Sequence, residues 1–285
     1  MHEACHAGTV YPTANKIIRA FACCFGTGGT QLWTYSHLRH HNVTNDDTDP
    51  DCDQHVALRY KSQLPLKAYH KFQIFYSTFM YMLTGLVFHS DNILPAPKMY
   101  KGIVRIPPPK SAAVAWFNRL CSLTFVLLQF VLPVYVTGSA RNIMVFYACS
   151  PPIVLFTTMI FQVNHLTLNL EERSARHQWG GGVGKKPAVK QDWAIDQIRM
   201  SNDFCLSNRF MTHFTGGLNY QIEHHLFPTL NHWAYPRVGA VLRTLCAEKG
   251  VPYFSYSTFL EGALDHYALL KLRGTQPQFE DKKAL

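Results

Sequence analysis

Charged side chains are scarce in this chain. They make up 16% of its 285 residues, against about 25% in a typical soluble domain. Hydrophobic residues reach 47% and aromatic residues 13%, so the composition favours a membrane protein. The formal net charge of +9 suits nucleic acid or an anionic membrane surface. No Lys/Arg run with interleaved aromatics is present, so nucleic acid is not expected as a partner. Membrane lipid is the expected partner.

Two familiar motifs are also missing. The eight cysteines lack C-x-x-C spacing, which argues against a zinc ribbon, and we expect reduced thiols that face cytosol or lipid. The stretch "GGGVGKK" (180–186) resembles a phosphate-binding loop, but Trp179 holds its first glycine position and Lys186 its Ser/Thr position. The N-terminus has no charged flank followed by an apolar run, so no secretory signal is predicted.

Three apolar stretches are present, at 72–88, 120–136 and 143–161. The third is long enough to cross a bilayer, which takes about 20 residues, and the second nearly so. The first is short and is the most polar of the three. We therefore predict a membrane hairpin at about 120–163, formed by 120–137 and 142–163, and an interfacial or re-entrant helix at 72–88. The basic loop 95–110 is expected on the cytosolic face, as the positive-inside rule prefers.

The remaining segments predict further helices and loops. Residues 13–36 suggest a helix followed by a turn at Gly26 to Gly29, and residues 42–55 are acidic and turn-rich. Residues 193–214 look helical. Residues 235–249 predict a helix that ends at Gly250. We expect one domain over residues 1–250 and a C-terminal tail over 251–285.

Histidines are the anomaly of the sequence, because many of the fifteen cluster. "HEACH" contains His2 and His6 at helical spacing, and "QIEHH" ends in His224 and His225. "HLRHH" places three histidines at i, i+3 and i+4, so they can point together from one helix face. His165 follows the third apolar stretch. Imidazoles beside membrane-length segments indicate function, and the candidate metal ligands are His2, His6, His37, His40, His41, His165, His224 and His225.

The first cluster also fits H-E-x-x-H, a zinc-binding motif of metalloproteases. A zinc hydrolase would explain His2, Glu3 and His6 but none of the other clusters. The extended form of the motif requires Gly at position 9 and His at position 12, where this chain has Thr9 and Pro12. Eight histidines exceed the three protein ligands of a catalytic zinc. They favour two metal ions, and imidazole ligands suit iron, zinc or copper.

Together these residues resemble the three histidine boxes of the membrane fatty-acid desaturases. The boxes are "HEACH", "HLRHH" followed by Asp49-Pro50-Asp51, and "GGLNYQIEHHLFP" (216–228). The third box begins with Gln221 instead of histidine, which is similar to the front-end acyl desaturases and the related sphingolipid desaturases. The resemblance covers the chain from His2 to about Gly250.

The resemblance implies an all-α, multi-pass membrane helical protein with a histidine-rich di-iron cap on the cytosolic face. It implies O2-dependent insertion of a double bond into an acyl chain carried by a lipid, by CoA or by a sphingolipid. The eight histidines would hold two non-haem iron ions, with Gln221 as a neighbouring group or a possible ligand. Cytochrome b5 or a ferredoxin would supply electrons, and a eukaryotic member would lie in the endoplasmic reticulum membrane.

Two departures from the family pattern leave alternatives open. No "HPGG" haem-binding sequence occurs, so a fused cytochrome b5 domain is not expected. Met1 directly precedes His2, where the family implies a hydrophobic helix pair, so we expect an N-terminally truncated chain. A non-catalytic fragment is therefore one alternative to the desaturase. A lipid hydroxylase on the same scaffold is another, and a zinc metalloprotease based on "HEACH" is the third.

Overall fold

The fold is given by a computed structural model. It describes residues 2–9, 11–22, 30–45, 49, 57–62, 64–93, 111–176 and 192–277. The expected turn at Gly26 to Gly29, the basic loop 95–110, the Gly-rich stretch 180–186 and most of the acidic loop lie outside these ranges.

The described part of the chain is mostly helical, as predicted. A 3-10 turn (Ala68–Phe72) leads into α4, and a π-helical turn (Leu127–Val131) joins α5 to α6. The helices are α1 (His2–Cys5), α2 (Pro12–Ala22), α3 (Thr30–Asn42), α4 (Gln73–Ile93), α5 (Ala112–Val126), α6 (Leu132–Thr137), α7 (Arg141–His165), α8 (Leu168–Arg176), α9 (Trp193–Arg199), α10 (Arg209–Phe214), α11 (Gln221–Leu226), α12 (Tyr235–Lys249) and α13 (Phe259–Thr275).

A small parallel sheet adds to the predicted helices. Strand β1 (Asp203–Phe204) pairs with β2 (Ser255–Tyr256), with Asp203 opposite Ser255. Contacts divide the chain into two compact units. The first unit contains Met1–Arg39 and Thr78–Thr158, and the second contains His40–Ser77 and Met159–Leu285.

Two helical stretches are long and apolar enough to cross a membrane. They are Ala115–Thr137, with a mean hydropathy of 2.0, and Arg141–Arg173, with 1.8. Only 17% and 12% of their most apolar windows are buried, which distinguishes them from helices at the centre of a soluble core. They contain the predicted hairpin of about 120–163. Gly138 separates them in the left-handed conformation, with φ 64°, which favours glycine.

The second unit has a core built around the third histidine box. Ile222 of α11 packs with Ile198 of α9 and with Leu242 and Cys246 of α12. As predicted, α12 ends at Gly250, which adopts the left-handed conformation at φ 66°. Burial of these apolar side chains is the main favourable contribution to this packing.

The segment 251–285 contains a regular helix. Thr258 and Glu261 form a capping box at the start of α13, and Leu269 and Leu270 are buried. The helix approaches the 3-10 turn so closely that a Cβ on Gly274 would lie 2.4 Å from the carbonyl oxygen of His70. The domain boundary at residue 250 stays a prediction.

The prediction of one helix over 193–214 is wrong. The helix stops at Arg199, β1 follows, and α10 begins at Arg209. Asn202 explains the break, because its side-chain Nδ2 donates to the carbonyl oxygen of Val163 and to Thr167 Oγ1, each at 3.0 Å. Cys205 then takes a positive φ of 51°, which a helix cannot contain.

Candidate metal centre

Three histidine rings of the first unit form one cluster, which we call the first triad: His2, His6 and His37. His2 lies on α1, His6 directly follows that helix, and His37 lies on α3. Each pair of ring centroids is 4.9 Å apart, with the rings inclined at 61° to 67°. His6 and His37 are buried, and the Nε2 atoms of His2 and His37 are 2.9 Å apart.

This spacing suits a shared metal ion. Two imidazole nitrogens bound about 2.1 Å from one metal lie about 3.0 Å apart when their bonds make a right angle. Alone, the first triad would also suit zinc, since His37 supplies the third ligand that "HEACH" lacks. That interpretation leaves the histidines of the second unit unexplained.

A second triad lies within the second unit: His40 of α3, His165 at the end of α7 and His225 of α11. Their ring centroids are 4.6, 4.7 and 5.0 Å apart. All three rings are buried, and the Nε2 atoms of His40 and His165 are 3.3 Å apart. The ligand nitrogens of this triad lie within 4.8 Å of one another.

Acceptors on the outer side fix the orientation of each ring in the second triad. Nδ1 of His40 is 2.8 Å from Asp49 Oδ2, and Nδ1 of His165 is 3.2 Å from the carbonyl oxygen of Met200. Nδ1 of His225 is 2.7 Å from Gln197 Oε1. Because each acceptor takes the proton of an Nδ1–H group, the tautomer leaves the Nε2 lone pair available to a metal.

The electrostatics of His225 also fit a metal ligand. Its Nε2 atom is buried and has no hydrogen-bond partner among the described residues. Burial first, and then the surrounding histidines, hold the pKa of His225 well below its usual value. A neutral imidazole is the form that binds metal, so the donor set of this triad fits a transition-metal ion.

The end of α7 is held so that His165 faces the triad. Its last carbonyl oxygens accept hydrogen bonds from side chains or the backbone of other segments. Asn202 donates to the carbonyl oxygens of Val163 and Asn164, and Asn45 Nδ2 donates to that of His165. Just beyond the helix, the carbonyl oxygen of Leu166 accepts from Nδ1 of His266 at 2.6 Å. These donors take the place of the next helical turn.

His41 and His224 complete the cluster of the second unit. Their ring centroids are 4.6 Å apart, and His41 also stacks on His225 at 4.2 Å. Nδ1 of His224 lies 3.1 Å from the hydroxyl of Tyr235, a contact that leaves its Nε2 on the opposite edge of the ring. Of the three histidines of "HLRHH", His40 and His41 belong to the cluster of the second unit and His37 belongs to the first triad.

Gln221 contacts a candidate ligand through its amide nitrogen. Its Oε1 accepts a hydrogen bond from Asn164 Nδ2 at 2.9 Å, and its Nε2 lies 2.9 Å from Nε2 of His165. The bond from Asn164 assigns the two ends of the amide. An amide N–H group donates and does not bind metal, so in this orientation Gln221 is not itself a ligand. It lies at the Nε2 edge of His165, where it would compete with a metal ion for the same lone pair.

Several groups that shape the site carried no signal in the sequence. Gln197, Tyr235 and the carbonyl of Met200 orient the rings, but none has a motif spacing to a histidine box. Asp49 is different, because it belongs to the Asp49-Pro50-Asp51 string. His266 stands outside every histidine cluster of the sequence, and it is fully buried with its Nδ1 bonded.

Comparison with known proteins identifies the family to which this chain is similar. The sequence profile described as fatty acid desaturase matches residues 1–257. An acyl-lipid (8-3)-desaturase B of Dictyostelium discoideum is 29% identical over 290 residues, which cover 99% of this chain and 62% of the relative. An acyl-lipid (8-3)-desaturase of Physcomitrium patens is 32% identical over 85% of this chain and 50% of the relative.

A bacterial relative shows the same similarity. The sn-1 linoleoyl-lipid 6-desaturase of Synechocystis sp. is 28% identical over 96% of this chain and 75% of the relative. The chain spans about three-fifths of the length of this Dictyostelium desaturase B and of a Delta(5) fatty acid desaturase A from the same organism, at 62% and 61%. No solved structure gives a significant match. With the family profile matching nearly the whole chain, and with its three histidine boxes in place, the chain belongs to the fatty acid desaturase family.

Proposed function

We propose that the protein is a di-iron desaturase that uses O2 to insert a double bond into the acyl chain of a lipid. The observation that carries the proposal is the presence of two histidine triads, the second fully buried, in a member of this family. A peptidase would use only the first triad, so that interpretation gives the second triad no role.

We assign one iron to each triad. His2, His6 and His37 would hold the first iron, and His40, His165 and His225 the second. His41 and His224 would be additional ligands, and Gln221 would be a neighbouring group beside the iron that His165 holds.

The irons would supply the oxidising power needed to break an unactivated methylene C–H bond. The protein's own contribution is to hold neutral imidazoles in fixed directions and to keep water away from them. Asp49 and Gln197 perform the first task by accepting from Nδ1 of His40 and His225. Burial of the second triad keeps water away from its imidazoles.

We propose a lipid-linked acyl chain as the substrate. The names of the relatives describe acyl-lipid and linoleoyl-lipid desaturases, and the two apolar helices would keep the protein among such lipids. Cytochrome b5 or a ferredoxin would deliver the electrons. We also propose a multi-pass protein whose hairpin at about 120–163 crosses the membrane, with the histidine boxes on the cytosolic face, and residence in the endoplasmic reticulum in a eukaryote.

Lipid profiling of a host that expresses the full chain tests this function. We expect new double bonds in membrane acyl chains that depend on O2 and disappear in H225A. The matched control is H213A, since His213 is exposed and lies outside the boxes, and it should leave the products unchanged. Hydroxylated acyl chains in place of new double bonds would indicate a hydroxylase. Unchanged lipids in cells whose purified protein holds two irons would refute the proposal.

A further inference from the structure

A pair of buried carboxyl groups lies behind the third histidine box. Asp203 of β1 and Glu223 of α11 are both 0% exposed. Neither belongs to a triad, and the function proposed above assigns them no role. Two buried carboxyl groups cost free energy unless hydrogen bonds satisfy them, so their contacts indicate what they do.

Asp203 holds the backbone at the start of α11. Its Oδ1 accepts a hydrogen bond from the backbone N–H of Ile222 at 2.9 Å. That group is one of the first N–H groups of the helix, which have no partner inside it. Tyr220, at the N-cap position, gives no capping hydrogen bond from its side chain, since its hydroxyl donates to the carbonyl oxygen of Leu206. Asp203 therefore caps α11 from a distant strand.

Tyr253 links the two carboxyl groups. Its hydroxyl contacts Asp203 Oδ2 and lies 2.8 Å from Glu223 Oε1. A single hydroxyl donates one proton and accepts on its oxygen, so it joins both groups only if one carboxyl donates to it. Consistent with this, burial raises the pKa of Asp203.

The neighbouring helix leaves room for this arrangement. Gly239 of α12 faces Glu223, and a Cβ there would lie 2.7 Å from Glu223 Oε1 and 3.3 Å from Nη1 of Arg243. The guanidinium of Arg243 also lies over the ring of Tyr253, at 5.8 Å. The packing of α12 is thus shaped around the carboxyl group.

We propose that Asp203 and Tyr253 are positioning residues for the third histidine box. Because α11 has only six residues, its own hydrogen bonds cannot hold it in place. Asp203 fixes its first turn and Tyr253 fixes Glu223, and the next two residues are His224 and His225. The network thereby sets the direction of both imidazoles. The inference rests on the proposed role of these histidines as iron ligands.

The test measures the rate at which a chelator removes Fe(II) from the purified, iron-loaded full chain. Variant D203A removes the cap, and we expect iron release about tenfold faster, at the lower end of the effect of removing outer contacts of metal ligands. Variant D203N keeps an oxygen for Ile222 and an N–H group for Tyr253, so it should restore the wild-type rate. Variant Y253F keeps the cap and should release iron at an intermediate rate.

Variant Y256F is the matched control. The hydroxyl of Tyr256 donates to Asp265 Oδ2 at 2.6 Å, in a tyrosine–carboxylate bond of the same unit that does not touch the box. It should release iron at the wild-type rate. Should D203A fail to fold, Y253F against Y256F decides the question, because both remove one hydroxyl.

The outcomes separate the inference from the function. A wild-type chain that binds no iron would overturn the proposed function, and the positioning role with it. A wild-type chain that holds iron, with Y253F and Y256F losing it at one rate, would overturn the positioning role alone. Equal rates of iron release in D203N and D203A would also overturn the positioning role. Only a capping role predicts that D203N restores the wild-type rate, and a general loss of packing does not.

Discussion

Asp49 offers the sharpest single test of how the second triad is oriented. Its Oδ2 atom accepts from Nδ1 of His40 at 2.8 Å and from the backbone N–H of Asn45 at 2.7 Å. Asp49 and His40 are each 1% exposed, so water does not replace the carboxylate easily. In D49A the ring loses the acceptor that fixes its tautomer and direction.

The structure gives the magnitude of this loss. A hydrogen bond to a charged group contributes about 1.5 to 3 kcal/mol, and removing an outer partner of a ligand histidine weakens metal binding about 10- to 100-fold. The two ranges agree, since about 1.4 kcal/mol corresponds to a factor of ten. Both donors reach the same oxygen, so the amide oxygen of D49N can still accept both. D49N loses only the charge and should fall between D49A and wild type.

Competition with a chelator in detergent solution measures the Fe(II) dissociation constant of each variant. The control is T258A, which removes the N-cap of α13 at a cost of about 1 kcal/mol without touching a histidine. It separates lost stability from lost metal affinity. If D49A and T258A bound iron with the same affinity, the outer contact would not orient His40 and this reasoning would be refuted.

Three further perturbations have expected outcomes. Gln197→Leu removes the acceptor of His225 Nδ1 and should weaken Fe(II) binding about tenfold in the same competition assay, whereas Q197E should not. Burial lowers the pKa of His266 from 6.5 to about 4, worth about 3 kcal/mol at about 1.4 kcal/mol per pKa unit. That stability is present above pH 6.5 and is lost as the pH falls towards 4, so the thermal midpoint of wild type should drop more steeply than that of H266Q between pH 7 and pH 5. Gly217→Ala should lower the thermal midpoint without changing the m-value of unfolding, because its Cβ would lie 2.5 Å from Cβ of His232 at a φ of 82°.

Local spacing predicted the parts of the site that lie on one segment. The i, i+3, i+4 pattern of "HLRHH" predicted a helix, and α3 carries all three histidines. The same pattern gave no information on partners, so it missed that His37 meets His2 while His40 meets His165. Helical periodicity shows which residues share a face and not which distant rings they contact.

Tertiary contacts account for what the sequence could not predict. Residues 193–214 have helical composition, but the bonds of Asn202 to the end of α7 interrupt the helix. Gln197 and Tyr253 look like ordinary polar residues until the fold brings them to His225 and Glu223. A hydrogen bond between segments far apart in the chain leaves no periodic pattern. By contrast, the end of α12 at Gly250 was predictable, because a left-handed glycine after a helix is a local feature.

Iron stoichiometry tests the central claim most directly. The full chain and the variants H37A and H225A would be purified and analysed for iron and zinc per chain, with far-UV circular dichroism as the check on folding. We expect about two irons in the wild type and about one in each variant, because each substitution removes a ligand from a different triad. Two irons retained in H225A, or a single zinc in the wild type together with peptidase activity, would contradict the account.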